Sequence, residues 1–328
     1  MLRVAMLSGW HVHARDYARQ ISQTGRARIT AVWDEQPERG RQWAAELGAA
    51  FEEDLSALLK RDDVDAVVVN TPTNLHPEVI IAAANAGKHI FTEKVMALTV
   101  KECEAVKDAV QKANVQFCIS FPHRTFPANL FAKKAVEENW LGGITLLRVR
   151  NAHDGAVGNW LPDHFYDPKA CGGGAMMDLG AHPMYLSRWL LGKPRNISSV
   201  FNSYTNRAVE DNAVSVIEFE NKAIAIVETG FVTPASPFFM EIYGTEGSLL
   251  IGGPDNTVKI SSKKYAPESK GFVTPSDLPD ALPSAIRQWM DAIENGGSPQ
   301  FGLEEGIQLT ELMEKAYESY RTGKRVDF

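Results

Sequence analysis

Strands and helices alternate through the first third of the chain, and this alternation constrains the fold more than any other feature of the sequence. Apolar runs at residues 2–7, 27–33 and 64–70 indicate strands, and segments with helical patterning lie between them. The third run, VDAVVVN, is apolar enough for a strand that is buried on both faces. Repeated β-α-β units predict an α/β fold with a doubly wound parallel sheet, whose ligands bind at the carboxyl ends of the strands.

The pattern changes after residue 121. A helix and a strand at residues 127–151 lead into a long irregular stretch at residues 152–174, and a helix that ends at Gly192 follows. Strand-like runs at short spacing then fill residues 197–261, with turn signals between them. This pattern predicts an α+β domain built on a large, mostly antiparallel open sheet with helices on one side. The predicted domains are residues 1–121 and residues 122–328.

Composition and charge exclude several classes of protein. The hydrophobic fraction of 44% and the charged fraction of 23% are ordinary for a globular chain, and 328 residues suffice for two domains with their own cores. The formal net charge of −7 argues against a general nucleic-acid binder, which needs a basic face. No segment approaches the roughly 20 apolar residues of a membrane span, and residues 1–7 indicate a strand rather than a secretion signal.

The cysteines indicate a reducing compartment. Cys103, Cys118 and Cys171 are widely spaced and form neither a CxxC metal motif nor a disulfide framework. We therefore expect a cytoplasmic protein without nucleic-acid or membrane partners.

A carboxylate and an imidazole follow a run of three glycines in the segment from Gly172 to His182. If this segment is helical, Asp178 and His182 lie four residues apart on one face, roughly 5–6 Å apart at Cβ. Such a pair suits proton transfer, because imidazole titrates near neutral pH and a carboxylate orients it or grips a substrate hydroxyl. Pro183 would kink a helix here. On these residues alone, Asp178 is equally well a cap or turn residue and His182 a buried core histidine.

The turn after the first strand is where the pyrophosphate of a dinucleotide would bind. Its sequence is SGWHVH, with Ser8, Trp10 and His13 at the positions of the three glycines of a GxGxxG fingerprint. Read alone, this loop does not indicate a dinucleotide, because Trp10 would crowd a backbone that must approach the pyrophosphate closely. The hydroxyl of Ser8 is the milder change, since it is able to donate to a phosphate.

Asp34 is a better indication of a cofactor site. It follows the second strand at close to the roughly 20 residues expected for an acid that binds a ribose diol. A carboxylate there repels a 2′-phosphate and favours NAD, whereas the nearby Arg39 keeps NADP possible. The alternative is a solvated turn aspartate.

Two further loops fall at the carboxyl edge of the predicted sheet, where a nicotinamide would lie. They are residues 70–76 and the pair Glu93-Lys94. A lysine in a cleft stabilises a developing alkoxide, although most lone lysines are solvated surface residues. The candidate cofactor contacts are Ser8, Gly9, Trp10, His11, His13, Asp34, Arg39, Asn70, Thr71, Pro72, Asn74, His76, Glu93 and Lys94.

Taken together, these pieces resemble the Gfo/Idh/MocA oxidoreductases, the glucose–fructose oxidoreductase and inositol dehydrogenase family. The resemblance rests on residues 64–76, 86–94, 172–182 and 244–248, in this order. It implies an N-terminal Rossmann domain and a C-terminal domain whose open sheet forms homo-oligomer contacts, in a dimer or a tetramer. It also implies oxidation of a sugar or polyol hydroxyl, or reduction of the carbonyl, with NAD or NADP.

The resemblance also implies roles for three residues. Lys94 matches the lysine of the family's Glu-Lys-Pro motif, Asp178 the aspartate that contacts substrate, and His182 the general acid/base. In the oxidation direction His182 takes the hydroxyl proton, while Lys94 and Asp178 hold the hydroxyl. The hydride step belongs to the cofactor.

The chain departs from the family pattern in three places. The glycine fingerprint is replaced, Val95 stands where the family has proline after Glu-Lys, and Tyr185 stands where many members have a second aspartate. The last change removes an orienting carboxylate or a substrate contact.

Weaker substrate candidates come from the domain junction and the irregular stretch. Arg124 matches an arginine that the family often has at the junction, and Trp160 offers a flat stacking surface for a sugar. The irregular spacing of His153, Asp163 and His164 argues against a metal site, so we expect no metal. The candidate substrate contacts are Lys94, Arg124, His153, Trp160, His164, Asp178 and His182.

Two other functions remain open at this point. Some relatives are non-catalytic regulators that bind a nucleotide or a sugar, and the altered glycine loop favours this class. Other relatives are glycoside hydrolases that use NAD for a transient oxidation. Fold alone does not choose among the three.

Overall fold

A computed structural model describes residues 1–328. In residues 1–121 the elements are β1 (Leu2–Leu7), α1 (Ala14–Gln23), β2 (Ala27–Trp33), α2 (Pro37–Leu47), β3 (Ala50–Phe51), α3 (Leu55–Leu59), β4 (Ala66–Val69), α4 (His76–Asn85), β5 (His89–Thr92), α5 (Val100–Ala113) and β6 (Phe117–Ile119). In residues 122–328 they are α6 (Pro127–Glu137), β7 (Ile144–Ala152), α7 (Pro168–Cys171), α8 (Ala175–Asp178), α9 (Ala181–Leu191), β8 (Pro194–Asn202), β9 (Asn212–Phe219), β10 (Ile224–Gly230), β11 (Phe239–Gly244), β12 (Gly247–Gly252), β13 (Thr257–Ser262), α10 (Ala285–Asn295), α11 (Leu303–Thr322) and β14 (Val326–Asp327).

The chain forms two compact units. The first contains residues 1–121 and 283–310, and the second contains residues 122–282 and 311–328. None of the helices is both long enough and apolar enough to cross a membrane.

The first unit is built on a six-stranded parallel sheet with the strand order β3-β2-β1-β4-β5-β6. All four residues of β4 are fully buried, as expected for a strand that is covered on both faces. The strand order reverses between β1 and β4, and ligands of such sheets bind at this switch point. The predicted doubly wound parallel sheet is confirmed.

Residues 283–310 return to the first unit, although the sequence division placed everything after residue 121 in the second domain. The reason is the apolar face of α10. Its Trp289 is fully buried, and the centroid of its ring lies 5.8 Å from that of Phe91. In addition, the thiol of Cys118 donates a hydrogen bond to the Ala285 carbonyl at 3.5 Å. The C-terminal segment therefore completes the core under β5 and β6.

The second unit is built on an eight-stranded sheet with the order β13-β12-β11-β7-β10-β9-β8-β14. Only the β7–β10 pair is parallel, so the predicted, mostly antiparallel sheet is confirmed. Burial alternates along β9, where Ala213 and Ile217 are buried and Val214 and Val216 are exposed. Helices α8 and α9 pack against the buried face of the sheet, and Val200, Val214 and Val216 are exposed on the other face.

The irregular stretch of residues 152–174 is an ordered loop. It contains a 3-10 turn at Asp163–Tyr166 and the short α7. Phe165 and Tyr166 pack with Phe231 into a small apolar core of their own. Long loops of this kind usually carry function.

Candidate active site

The loop after β1 keeps a left-handed turn without the first glycine of the fingerprint. Ser8 has a φ of 74°, its N–H donates to the Trp33 carbonyl at 2.7 Å, and its hydroxyl accepts from the Trp10 N–H at 3.0 Å. These bonds hold a conformation that non-glycine residues otherwise avoid. The side chain of Trp10 is buried in the protein and only 6% exposed.

Asp34 is fully enclosed by donors. Its carboxylate accepts from the Gly9 N–H at 2.8 Å, from the Gln36 N–H at 2.8 Å, and from Arg39 at 2.8 and 2.6 Å. Arg39 also reaches the Ser8 hydroxyl at 3.3 Å. Asp34 and Arg39, the two residues that the sequence assigns to the ribose, therefore form a hydrogen-bonded ion pair, in which the guanidinium offsets the charge of the carboxylate.

The segment after β4 presents polar atoms that have no hydrogen-bond partner within the protein. They are the side-chain oxygens of Asn70, Thr71 and Asn74, and the first two residues are almost completely buried. A buried polar atom without a partner costs about 1–3 kcal/mol. Pro72 lies between them, just before a 3-10 turn at Thr73–Leu75. Orphaned groups at the carboxyl edge of the sheet fit a polar ligand such as a nicotinamide cofactor.

The side chain of His76 connects the loop after β4 to the loop after β5 by hydrogen bonds. It is buried, and its ring nitrogens lie 2.7 Å from the Val95 carbonyl and 3.0 Å from the Thr71 carbonyl. Burial lowers the pKa of His76, although both carbonyls favour the charged ring. His76 therefore braces the loops that precede and follow the candidate nicotinamide position, with its ring turned toward the backbone.

Glu93 is the centre of a buried polar cluster with His11, His13 and Tyr17, which was not predicted from the sequence. Its Oε1 lies 2.8 Å from His13 Nδ1 and 3.7 Å from His11 Nδ1, and it accepts from the Tyr17 hydroxyl. Burial alone would raise the pKa of Glu93, but the two histidines and Lys94 hold it well below its usual range. The pairs lie about 80 residues apart in sequence, so local spacing gives no signal for them.

The same cluster has the composition of a metal site. One donor atom each from His11, His13 and Glu93 lies within 4.8 Å of the others. However, His11 Nδ1 also accepts from the His13 N–H at 3.2 Å, and Glu93 Oε2 accepts from the Lys94 N–H at 2.8 Å. The bond from the His13 N–H already uses the single lone pair of His11 Nδ1, which a metal ion at that atom would need.

Lys94 lies just beyond the carboxyl end of β5. The residue is 5% exposed, and the peptide bond between Lys94 and Val95 is cis. Its position at this edge of the sheet is the one that the sequence predicts.

In the second unit, the glycine run packs against residues from distant parts of the chain. Glu210 Oε1 accepts from the Gly174 N–H at 2.9 Å, the Met176 N–H at 3.0 Å and the Tyr317 hydroxyl at 2.5 Å. A Cβ atom on Gly173 would overlap the Tyr317 hydroxyl. Burial raises the pKa of Glu210, against the effect of these donors. Sequence reasoning missed Glu210 and Tyr317, because no pattern links them to the glycines.

Asp178 and His182 lie on two helices rather than on one. Asp178 ends α8, His182 is the second residue of α9, and Leu179 and Gly180 form the turn between them. A Cβ atom on Gly180 would come within 2.5 Å of the Met176 carbonyl, so this position requires glycine. The segment is therefore not one continuous helix, which was the condition for the spacing considered from the sequence. Pro183 falls in the first turn of α9, where a missing N–H breaks no helical bond.

The imidazole of His182 is 5% exposed and has two aromatic neighbours. Its Nδ1 lies 2.9 Å from the Tyr185 hydroxyl, and the ring of His123 stacks on it with centroids 4.5 Å apart. The sequence analysis did not predict a role for His123, which comes from a 3-10 turn at Pro122–Thr125.

The predicted loop residues His153 and Trp160 are in ring contact, and the charge of Asp178 affects the pKa of His153. The rings of His153 and Trp160 are 4.5 Å apart, and Trp160 is 54% exposed with its indole N–H bonded to Asp154 at 2.9 Å. Burial lowers the pKa of His153, and the negative charge of Asp178 opposes this shift. The other candidates lie elsewhere: the guanidinium of Arg124 covers the Trp189 ring at 5.1 Å, and His164 lies within the 3-10 turn, where its carbonyl accepts from the Cys171 thiol.

Comparison with known proteins supports the same two-part organisation. Residues 3–121 match the family model described as "Oxidoreductase family, NAD-binding Rossmann fold", and residues 130–250 match "GFO/IDH/MocA C-terminal domain". The chain is 27% identical to D-xylose 1-dehydrogenase (NADP(+)) 2 of Haloferax volcanii, over 83% of this chain and 82% of that protein. It is 31% identical to scyllo-inositol 2-dehydrogenase (NAD(+)) of Bacillus subtilis, over 69% of this chain and 66% of that protein.

Solved structures show the same fold. A levoglucosan dehydrogenase in complex with NADH and L-sorbose aligns over 100% of this chain and 98% of its own, with a TM-score of 0.88 and 24% identity. At this identity the likeness concerns the fold, which agrees with the sheet topologies of both units.

Proposed function

This chain belongs to the Gfo/Idh/MocA family of oxidoreductases, and we propose that it transfers a hydride between a nicotinamide cofactor and a hydroxyl or carbonyl group of a sugar or polyol. The substrate class follows from the relatives, which are named for xylose and inositol. The single observation that carries the proposal is the buried imidazole of His182, held at Nδ1 by Tyr185. An imidazole titrates near neutral pH and is therefore suited to exchange a proton with a substrate hydroxyl.

The residues of the first unit fit the cofactor. Asn70 and Thr71 offer polar atoms that lack partners, and Arg39, which is paired with the enclosed Asp34, remains partly exposed for a ribose or its phosphate. When bound, the cofactor supplies the hydride acceptor or donor. Because Arg39 offsets the charge of Asp34, the protein accommodates NADP as well as NAD at this edge.

We assign the proton chemistry to three side chains. In the oxidation direction His182 removes the hydroxyl proton, and Asp178 accepts a hydrogen bond from the substrate. Lys94 stabilises the developing negative charge on the oxygen. A lysine that is 5% exposed is suited to this role, because a low-dielectric environment strengthens its electrostatic interactions.

The ordered loop of residues 152–174 contributes substrate contacts in this proposal. Trp160 presents an exposed aromatic face, on which the apolar face of a sugar ring stacks. His153 beside it provides a hydroxyl partner, and Arg124 and His164 are weaker candidates. This division assigns substrate selectivity to the loop and the proton chemistry to Lys94, Asp178 and His182.

We also propose that the open face of the second sheet forms a homo-oligomer contact. Val200 pairs with Val214, and the exposed Val216 pairs with Ile226 on the same face. A row of exposed branched side chains is typical of an interaction surface. Light scattering of Val214→Lys tests this: a smaller assembly than the wild type supports it, and an unchanged mass contradicts it. A cytoplasmic location stays a prediction from the three free cysteines.

The experiment has two steps on one preparation. First, NAD(H) and NADP(H) are titrated into protein from which any retained nucleotide has been extracted. A panel of sugars and polyols is then screened for absorbance at the wavelength of the reduced nicotinamide. Saturable nucleotide binding with turnover of at least one sugar supports the proposal. Turnover of a glycoside without net reduced nicotinamide would indicate hydrolysis instead, and nucleotide binding without turnover of any kind would favour a sensor.

A further inference from the structure

We propose that Arg207 is a positioning residue for substrate recognition, which holds residues 156–166 in the conformation that presents Trp160 to a sugar. Arg207 lies outside the irregular stretch, in the turn between β8 and β9. This inference rests on the substrate contacts of the proposed function, in which Trp160 stacks on the sugar ring. It adds a residue that acts on the substrate through the loop rather than by touching the sugar.

The turn that carries Arg207 is fixed by hydrogen bonds. Asp211, which is fully buried, accepts from the Tyr204 N–H and the Thr205 N–H at 2.8 Å each. The Ser203 hydroxyl donates to the Arg207 carbonyl at 2.9 Å. Local bonds of this kind between side chains and the backbone hold a turn in one conformation. The side chain of Arg207 therefore extends from an ordered backbone.

The guanidinium packs on the ring of Tyr166. Its Cζ lies 3.7 Å from the ring centroid, and the Arg207 side chain is 24% exposed. A cation at this distance from an aromatic face is attracted to it, and more strongly when the pair is partly shielded from water. Tyr166 belongs to the small apolar core that it forms with Phe165 and Phe231. One face of the guanidinium is therefore anchored to that core.

The same guanidinium reaches the residue before Trp160. Its Nη2 donates to Asn159 Oδ1 at 3.1 Å. Asn159 has a φ of 54°, in the left-handed region that asparagine adopts more readily than most residues. Because Asn159 immediately precedes Trp160, its conformation sets the direction of the indole. Contacts of the guanidinium with the Ala156 carbonyl and the Asp163 carboxylate are long, at 3.5 Å, and add little.

Trp160 is held from the other direction by the start of the loop. Its indole N–H donates to Asp154 at 2.9 Å, and its ring contacts His153. Arg207 adds a link from the segment around Trp160 to the core of the second unit. An aromatic group that is ordered before the sugar arrives lowers the entropy cost of binding. Loss of Arg207 should therefore weaken substrate binding and leave the proton transfer unchanged.

The kinetic test compares Arg207→Gln with the wild type on the sugar or polyol that the enzyme turns over best. We expect KM to rise by about fivefold, with kcat within about twofold, because binding and not chemistry depends on the loop. The matched control is Arg195→Gln, which removes an exposed arginine of the same unit that pairs with Glu218. It should match the wild type.

A double-mutant cycle separates positioning of Trp160 from a general effect on the fold. Trp160→Ala removes the stacking surface itself. In this background Arg207→Gln should raise KM by less than about twofold, because no indole remains to be oriented. A role in stability alone predicts that Arg207→Gln has the same effect with and without Trp160.

Hydrogen exchange separates this inference from the proposed function. The Gly158 and Leu161 N–H groups donate within the loop, to the carbonyls of Asp154 at 2.6 Å and Gly155 at 3.3 Å. We expect both amides to exchange about fivefold faster or more in Arg207→Gln, while the amides of β9 keep their wild-type rates. This readout needs no turnover. A wild type that oxidises no sugar would refute the function, and the exchange rates would still decide whether Arg207 orders the loop.

Three results would overturn the inference. One is wild-type exchange of the Gly158 and Leu161 amides in Arg207→Gln. Another is an Arg207→Gln enzyme with normal KM on the best substrate. The last is an equal rise in KM with and without Trp160, since it would show that Arg207 acts independently of the indole.

Discussion

Arg39 and Asp34 form a two-point hydrogen-bonded pair, with Nε to Oδ2 at 2.8 Å and Nη2 to Oδ1 at 2.6 Å. The positive charge of Arg39 therefore lies directly against the enclosed carboxylate of Asp34. Glu35 lies 2.5 Å from the same guanidinium, so two carboxylates share one positive charge. The preference between NAD and NADP should therefore depend on Arg39 as well as on Asp34.

Removal of Arg39 should shift cofactor preference toward NAD. In Arg39→Ala the charge of Asp34 is no longer offset and repels a 2′-phosphate, so we expect the Kd ratio of NADP to NAD to rise by about tenfold. Calorimetric titration of both nucleotides measures the ratio. Arg41→Ala, which removes an exposed arginine that pairs with Glu53, is the control. Equal weakening of both nucleotides by Arg39→Ala would exclude this role. Asp34→Ala should weaken NAD more than NADP.

Lys94→Ala should lower turnover by about 10²-fold or more, as expected when a group that stabilises a developing oxyanion is lost. The comparison is with Lys101→Ala on the exposed side of α5, which removes a lysine of the same unit. Steady-state rates with the best sugar give the effect. Near-normal turnover of Lys94→Ala would remove this lysine from the mechanism.

The buried Glu93 cluster should make the protein sensitive to acid. The pKa of Glu93 is held well below its usual value in the folded state, so the folded protein binds fewer protons than the unfolded chain. Its contribution to stability is present above the unfolded pKa of 4.5 and decreases as the pH falls below that value. Urea unfolding at pH 7 and pH 4 measures the difference, which should be smaller in Glu93→Gln. The exposed Glu38→Gln is the control, and an equal acid loss in both variants would contradict the assignment.

The glycine run should be required for stability as well as for the site. Gly173→Ala places a methyl group into the Tyr317 hydroxyl, and we expect a loss of about 1–3 kcal/mol in the free energy of unfolding. At Gly271 a Cβ atom meets nothing within 4 Å, so Gly271→Ala should leave the stability almost unchanged. Chemical denaturation compares the two. A Gly173→Ala protein as stable as the Gly271→Ala protein would show that α8 adjusts without cost.

Local pattern predicted most of the first sheet, because strands such as β1 and β4 are short apolar runs between clear turn signals. It missed β3 and β14, which are two residues long and leave no periodic signal. It also missed the break between α8 and α9. A Cβ atom at Gly180, beside that break, would come within 2.5 Å of the Met176 carbonyl oxygen, and a helical pattern does not report such a close approach.

The candidate site was predictable where one segment carries both partners, and not where the partners are distant. Asp178 and His182 stand out from spacing alone, whereas Glu210 and Tyr317 approach the glycine run from over 100 residues apart. His123 and Tyr185 are likewise joined across 62 residues. Loop conformation was equally hidden, since Ser8 adopts a positive φ through hydrogen bonds and not through the absence of a side chain.

The most direct test of the central claim is formation of reduced nicotinamide by the wild type and by His182→Gln, followed side by side with the best sugar or polyol. Our account predicts turnover by the wild type and a loss of about 10²-fold or more in His182→Gln, at nearly unchanged nucleotide affinity. His89→Gln, a change in a half-buried histidine at the amino end of β5, serves as the control. Equal rates for His182→Gln and the wild type would contradict the account, because they would leave the proton transfer without its base.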